Sequence, residues 1–309
     1  MRIIFFGSDE FSIKALEACL HDSAEVALVV TTPAKKKGRG LHLEPSKVFT
    51  YCKSKNLPVA DFASLKDPSV AETLIALHPD VFVVASYGKL IPASLLSIPK
   101  YRLNVHPSLL PKYRGAAPIN WPILNGDTET GVTILDLAEK LDAGDMYHQE
   151  KIAIGPRMNA EQLTAQLAAL SYGILKKVLV EVKEGRIHGT PQNHDQMTYA
   201  RQLEKKDGEL SFSMTVDEID RKVRGLMPWP GCYFFYNGER VGLLDAMPMT
   251  IATDKAPGTI LEIDKDGSLS VATGQGILKL LAVKPEGKKV MPAADFARGR
   301  RLEPGTILQ

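Results

Sequence analysis

The chain has 309 residues and is poor in cysteine. Its three cysteines, Cys19, Cys52 and Cys232, are widely spaced and include no C-x-x-C pair. This pattern supports neither a disulfide framework nor a zinc site, and it is typical of reduced thiols in the cytosol. None of the seven histidines has the spacing of a metal-ligand pair, so we predict no bound metal.

The sequence also lacks a long apolar run and a large net charge. Its apolar start, residues 1–7, is far too short for a signal peptide, and no stretch approaches the length of a membrane span. We therefore expect a cytoplasmic protein, monomeric and without a membrane partner. The net charge of +2 is too small to predict nucleic-acid binding, which must rest on local basic clusters.

A dinucleotide fingerprint is absent as well. The first predicted strand, residues 2–6, runs into the segment G-S-D-E-F-S rather than G-x-G-x-x-G. Without those glycines the backbone cannot approach a pyrophosphate in the usual way. A nicotinamide-dependent enzyme is therefore disfavoured.

The first part of the chain alternates apolar strand patterns with helical spacing. Strands are predicted at 2–6, 25–31, 81–85, 102–105 and 132–137, and helices at 11–20, 45–54, 68–77 and 160–184. Such alternation predicts the α/β class, with a mostly parallel sheet and helices on both faces. Ligands of such sheets bind beyond the carboxyl ends of the strands.

Polar side chains stand at two of those strand ends. Asn104 and His106 are two residues apart, so they project to one face of a strand, and Pro107 favours extended backbone at His106. An amide donor beside an imidazole suits a site where negative charge develops on oxygen. Asp142 follows the next strand and is a carboxylate that can orient the imidazole and favour its protonated form. The alternatives are a histidine packed in the core or on the surface, and an asparagine that serves the turn.

A basic segment follows the second predicted strand. Residues 33–40 are predicted to form a loop, and it carries Lys35, Lys36, Lys37 and Arg39. One interpretation is an ordinary solvated surface loop. The other is a flexible arm whose cations contact RNA phosphates.

The last third of the chain changes character. Residues 188–206 lose periodicity and are predicted to be a linker, in which His188 and His194 are solvated. A capped helix at 215–225 is then followed by short strands at 232–236, 239–244, 259–263, 268–272 and 277–283, and by a helix at 292–298. Short strands with little room for crossover helices predict a small barrel, of which the OB-fold is one example.

Three motifs together resemble a known family. They are the eight residues Asn104–Pro111 (N-V-H-P-S-L-L-P), the five residues Arg114–Pro118 (R-G-A-A-P), and the five residues Leu141–Asp145 (L-D-A-G-D). The sequence resembles the methionyl-tRNA formyltransferases along its full length. The first motif is shared by all transformylases that use 10-formyltetrahydrofolate, and nucleotide-sugar formyltransferases carry stretches similar to the second.

The resemblance implies a function and assigns residues to it. It implies transfer of the formyl group of 10-formyltetrahydrofolate to the α-amino group of methionyl initiator tRNA, for translation initiation. It also implies a Rossmann-like catalytic domain (residues 1–187), a linker (188–206) and an OB-like tRNA-binding domain (207–309). The implied roles are catalysis for Asn104, His106 and Asp142, folate binding for Ser108, Leu109, Leu110 and Pro111, and tRNA binding for Lys35, Lys36, Lys37 and Arg39. Ala34 and Lys36 stand where the family commonly has Asp and Pro, which leaves Arg39 as the firmest of the tRNA contacts.

Two rival functions remain open. One is another folate-dependent transformylase, acting on a nucleotide sugar or a purine precursor, although a purine enzyme does not explain about 100 additional C-terminal residues. The other is a protein that binds formylfolate or RNA without catalysis, which the complete Asn104, His106 and Asp142 set disfavours. Turnover with charged tRNA discriminates among the three.

Overall fold

The computed structural model of the chain describes residues 1–21, 24–37, 42–138 and 140–309. The chain forms two compact units. The first comprises Met1–Ile119, Glu129–Ala153 and Leu163–Arg201, and the second comprises Asn120–Thr128, Ile154–Gln162 and Gln202–Gln309. The domain boundaries that we predicted from the sequence stay predictions.

The first unit contains eleven of the strands in the described residues. In chain order they are β1 (Arg2–Gly7), β2 (Glu25–Val30), β3 (Lys35–Lys37), β4 (His42–Glu44), β5 (Val59–Ala60), β6 (Val81–Ala85), β7 (Tyr101–His106), β8 (Arg114–Gly115), β9 (Glu129–Asp136), β10 (Met146–Ala153) and β11 (Tyr199–Ala200). The α-helices in the described residues of both units are α1 (Glu10–Cys19), α2 (Lys47–Ser54), α3 (Pro68–Ala76), α4 (Ala93–Leu96), α5 (Asn120–Asn125), α6 (Ala160–Lys183), α7 (Val216–Gly225) and α8 (Ala293–Gly299).

Seven of these strands form one sheet in the order β10-β9-β7-β6-β1-β2-β5. Neighbouring strands from β7 to β5 pair in parallel, whereas β9 and β10 pair antiparallel at the β7 edge. Ile4, Phe6 and Phe82 on one face pack in a core with residues of α3 and α4, and Ile3 and Phe5 on the other face are also buried. Both faces are therefore covered, and the predicted mostly parallel α/β sheet is confirmed.

We predicted that the basic segment, residues 33–40, forms a loop, but part of it is a strand. Lys35–Lys37 forms β3, which pairs antiparallel with β4 so that Lys35 lies opposite Glu44. A cross-strand pair of opposite charges favours this register, although three successive lysines have little strand propensity. Arg39, the fourth predicted tRNA contact, lies outside the described residues.

One helix corrects the expectation that no apolar stretch approaches a membrane span. By length and composition alone, the 24-residue α6 is long and apolar enough to cross a membrane. Core helices of soluble proteins meet the same criterion, so this is weak support for a span. Leu163, Leu167 and Leu175 on this helix are fully buried within the protein.

The second unit is built on an antiparallel sheet. Its strands are β12 (Cys232–Tyr236), β13 (Glu239–Met249), β14 (Ile260–Ile263), β15 (Leu269–Ala272), β16 (Ile277–Pro285) and β17 (Met291–Pro292). They pair in the order β12-β13-β16-β15-β14, with β17 on β16. The final residues bond to both ends of this row, because the Ile260 amide donates to the Thr306 carbonyl at 2.8 Å and the Gln309 amide donates to the Phe235 carbonyl at 3.0 Å. The sheet thereby closes on itself, in agreement with the predicted small barrel.

Candidate active site

Strand β7 carries two of the predicted catalytic side chains at its carboxyl end. It lies between the parallel β6 and the antiparallel β9, with Asn104 opposite Val84 and His106 opposite Thr133. Because the two residues are separated by one position in extended backbone, their side chains project to the same face of the sheet. His106 is buried, with 4% of its surface exposed.

The loop after β9 brings Asp142 to this pair. Its carboxylate accepts one hydrogen bond from Asn104 Nδ2 at 3.1 Å and another from the Gly115 amide at 2.9 Å. Its Oδ2 atom lies 3.6 Å from His106 Nδ1, and both side chains are almost fully buried. The three residues that the sequence singled out therefore form one cluster.

The histidine ring has a defined tautomer. His106 Nε2 lies 2.9 Å from the backbone carbonyl oxygen of Tyr113, and a carbonyl can only accept a hydrogen bond. Nε2 must therefore carry a proton, which leaves Nδ1, the atom facing Asp142, to gain and lose one.

Backbone constraints hold the Asp142 loop in place. Asp142 itself has a φ of 50°, in the left-handed region that few residues other than glycine adopt. Two positions later, a Cβ atom on Gly144 would lie 2.0 Å from the Asp136 carbonyl oxygen. Only glycine fits there, because any side chain would push the loop away from the end of β9.

The predicted folate segment follows β7 directly and is anchored from within. Ser108 is buried and its hydroxyl donates to the Lys112 carbonyl at 2.7 Å, while the Leu110 carbonyl accepts from Gln149 Nε2 at 2.9 Å. The Ser108 hydroxyl is therefore engaged within the protein, and the Leu110 side chain is buried, with 3% of its surface exposed. Leu109 and Pro111, by contrast, keep part of their surface exposed.

Thr133 is a further residue that anchors this segment, and sequence reasoning missed it. Its hydroxyl donates to the Ser108 carbonyl at 2.7 Å and accepts from the Leu110 amide at 3.2 Å. It lies on β9 opposite His106, inside an apolar run, and nothing in the sequence distinguishes it from a threonine that merely fills a strand position.

The predicted linker contributes to the same region of the first unit. Strand β11 pairs in parallel with β8, so the Arg114 amide donates to the Thr198 carbonyl at 2.9 Å. The Arg114 side chain is buried and lies 2.9 Å from His194 Nδ1. His194 is itself exposed, in agreement with the prediction that it is solvated, although its Nδ1 has this partner.

The predicted tRNA contacts within β3 carry exposed cationic side chains where the structure describes them. Lys35 and Lys36 are exposed, and Lys37 contributes backbone to the strand. Neither lysine has a hydrogen bond that ties it to the cluster of Asn104, His106 and Asp142 among the bonds identified in the described residues. Their assignment to RNA binding stays a prediction.

A cavity of about 310 Å³ lies in the second unit. It is lined by the first turn of α7 and by residues that include Arg221, Ile251 and Gln275. The nearby Glu218 carboxylate is bonded to the backbone and hydroxyl of Thr215, which closes the helix end in a capping box. The lining contains none of the predicted catalytic residues.

Two family models match the chain. A model described as formyl transferase matches residues 1–179, and one described as the formyl transferase C-terminal domain matches residues 202–301. The methionyl-tRNA formyltransferase of Thermus thermophilus is 41% identical over 100% of this chain and 99% of its own length. That of Myxococcus xanthus is 40% identical over 99% of this chain and 97% of its own length.

Solved structures share the fold at low sequence identity. HypX from Aquifex aeolicus, in complex with tetrahydrofolic acid, superposes with a TM-score of 0.65 at 17% identity, over 100% of this chain and 50% of that one. An N-formyltransferase from Helicobacter canadensis, in complex with folinic acid and dTDP-3-aminofucose, has a TM-score of 0.63 at 16% identity, over 90% of this chain and 98% of that one. At these identities the likeness concerns the fold.

Proposed function

The chain belongs to the formyl transferase family, and from that membership we propose that it formylates methionyl initiator tRNA. The formyl donor is 10-formyltetrahydrofolate, and the product is N-formylmethionyl-tRNA for translation initiation. One observation carries the proposal, namely 40–41% identity to methionyl-tRNA formyltransferases over essentially the whole of both chains.

The C-terminal unit distinguishes this proposal from the purine rival. The similarity to methionyl-tRNA formyltransferases extends through the barrel, which a small soluble acceptor does not require. A sugar acceptor is the second candidate, because the structure from Helicobacter canadensis was solved with an amino sugar nucleotide. Its 16% identity supports a shared fold and leaves the acceptor to experiment.

The cluster on β7 suits attack by an amine on a formyl group. The neutral α-amine adds to the formyl carbon, and the formyl oxygen becomes an oxyanion. Asn104 Nδ2 uses one N–H on Asp142, so its second N–H is free to donate to that oxyanion. His106 donates as well when Nδ1 is protonated, with Asp142 3.6 Å away to stabilise the cation.

The same groups carry the proton that the reaction must move. The amine loses a proton after it attacks, and the folate nitrogen gains one as its bond to the formyl carbon breaks. Because Nε2 is held by the Tyr113 carbonyl, Nδ1 of His106 is the ring atom that exchanges the proton, directly or through a water molecule. No net proton is consumed by the protein.

Folate and tRNA binding are assigned to separate segments. Ser108–Pro111 forms one wall of the pterin site, where Ser108 and Leu110 fix the backbone while Leu109 and Pro111 offer apolar surface. The basic segment, residues 33–40 with Lys35, Lys36, Lys37 and Arg39, contacts tRNA phosphates, an assignment that the exposed Lys35 and Lys36 support. The enzyme acts as a cytoplasmic monomer.

The acceptor is tested by offering 10-formyltetrahydrofolate with three acceptors in parallel. They are charged initiator methionyl-tRNA, the same tRNA uncharged, and a dTDP-linked amino sugar. Formylation of the charged tRNA alone is the expected result. Formylation of the amino sugar alone would indicate that the protein is a sugar formyltransferase. Binding of the folate without any turnover would favour the non-catalytic rival.

A further inference from the structure

Gln192 is a buried polar side chain in the segment that the sequence suggested was a linker. It is 5% exposed, and every hydrogen-bonding group of its amide has a partner. Nε2 donates to the Asp142 carbonyl at 2.9 Å and to the Gly144 carbonyl at 2.8 Å. Oε1 accepts from Arg114 Nε at 3.2 Å and Nη2 at 2.5 Å.

These partners leave the amide only one orientation. Two carbonyl oxygens require the NH₂ group on one side, and the guanidinium, which only donates, requires the oxygen on the other. Flipping the amide would set two carbonyls against Oε1 and a cation against NH₂. Gln192 is therefore locked between the Asp142 loop and β8.

Of the two elements that Gln192 joins, the loop carries the Asp142 carboxylate and β8 donates a hydrogen bond to it. The loop carries Asp142 in its left-handed conformation, and the residue after Arg114 on β8 is Gly115, whose amide donates to Asp142 Oδ2 at 2.9 Å. The peptide plane that follows Asp142 is fixed by the Gln192 bond to its carbonyl. Rotation of that plane would turn the carboxylate relative to His106.

We propose that Gln192 is a positioning residue for formyl transfer, which holds the Asp142 carboxylate at its distance from His106 Nδ1. It acts through Asp142 and has no contact with the reacting atoms. The role rests on the proposed function. Because catalytic geometry tolerates little displacement, a shift of about 1 Å in Asp142 costs about 100-fold in rate.

Two substitutions separate positioning from simple structural support. Gln192→Met keeps the length of the side chain and removes all its hydrogen bonds. Gln192→Glu keeps an oxygen for Arg114 but removes both donors to the loop. Positioning predicts that kcat falls about 100-fold in both variants, with KM for each substrate within about threefold of the wild type. If Gln192 serves only to hold Arg114, Gln192→Glu will keep the wild-type kcat, and this result would overturn the proposal.

Asn193→Ala is the matched control, because Asn193 is the next residue and its side chain accepts a hydrogen bond from the local Asp195 amide at 3.1 Å. We expect its kcat to stay within about twofold of the wild type. If Asn193→Ala loses as much kcat as the Gln192 variants, then any change in this segment lowers kcat, and this result would overturn the proposal. If both Gln192 variants fail to fold, Gln192 serves the fold and the proposal also fails.

A structural measurement keeps this inference separate from the proposed function. If the wild type formylates no acceptor, the proposed function fails, and crystal structures of the wild type and Gln192→Glu then decide the role of Gln192. The His106 Nδ1 to Asp142 Oδ2 distance is 3.6 Å in the wild type. The proposal predicts that it changes by about 1 Å or more in the variant. An unchanged distance would overturn it.

Discussion

Replacing Asp142 by asparagine removes the negative charge beside His106 and keeps the size of the side chain. At an effective dielectric constant of about 20, a unit charge pair at the observed 3.6 Å interacts by roughly 4–5 kcal/mol. If the whole of that attraction stabilises the protonated ring in the transition state, its loss lowers kcat by about 1000-fold. The asparagine oxygen can still accept from the Gly115 amide, so the fold should survive.

The assay is steady-state formylation of methionyl-tRNA with both substrates in excess of their KM values. We expect kcat for Asp142→Asn to fall by between about 10-fold and 1000-fold, with a melting temperature close to that of the wild type. Asp145→Asn is the control, because Asp145 lies three residues further along the same loop and is exposed. Wild-type turnover by Asp142→Asn, or an equal loss in Asp145→Asn, would refute the role given to Asp142.

Four further predictions concern stability, thiol reactivity and the Asp142 loop. Asp220→Ala should lower the free energy of unfolding in urea by about 3 kcal/mol, since it leaves Arg224 without the buried carboxylate at 2.7 Å; a loss below about 1 kcal/mol would contradict this. Burial raises the pKa of Cys52 to about 11 and of Cys232 to about 12, so at pH 8 a thiol reagent should modify the native protein about 100-fold more slowly than the unfolded chain. The raised pKa of these thiols contributes stability that is fully present below pH 9.0, their ordinary pKa, and is lost as the pH rises toward 11–12. The free energy of unfolding in urea should therefore decline with pH above pH 9 and not below it. Gly144→Ala should reduce both kcat and the melting temperature, since its Cβ would lie 2.0 Å from a backbone carbonyl oxygen, and unchanged values would contradict the tight fit.

The parallel sheet was predictable because its strands are continuous apolar runs. Val81–Ala85 is buried at every position, and a strand that is covered on both faces can be recognised from its apolar composition alone. The edge strand β10 was missed for the opposite reason. Met146–Ala153 mixes polar and apolar residues and is only partly buried, so its sequence carries little strand signal.

The candidate site was partly visible in the sequence. Asn104 and His106 could be paired because a spacing of two has a fixed meaning in a strand. Their meeting with Asp142 depends on the pairing of β7 with β9, which brings together residues 38 positions apart. The sequence suggested that contact because Asp142 follows the next apolar strand, and the family motifs implied the same grouping.

The burial of Gln192 could not be predicted from the sequence. Its segment has no apolar periodicity, so we interpreted it as a linker with solvated histidines, and His194 is indeed exposed. Gln192 is buried only because Arg114 and two loop carbonyls satisfy its amide. A buried polar residue whose partners are distant in sequence leaves no local pattern.

The most direct test of the account is single-turnover transfer of a labelled formyl group from 10-formyltetrahydrofolate to methionyl initiator tRNA, with the wild type beside His106→Ala. We predict rapid labelling of the charged tRNA by the wild type and a loss of at least about 100-fold in His106→Ala, with the melting temperature retained. A wild type that leaves the charged tRNA unlabelled would contradict the proposed function. An undiminished rate in His106→Ala would contradict the site.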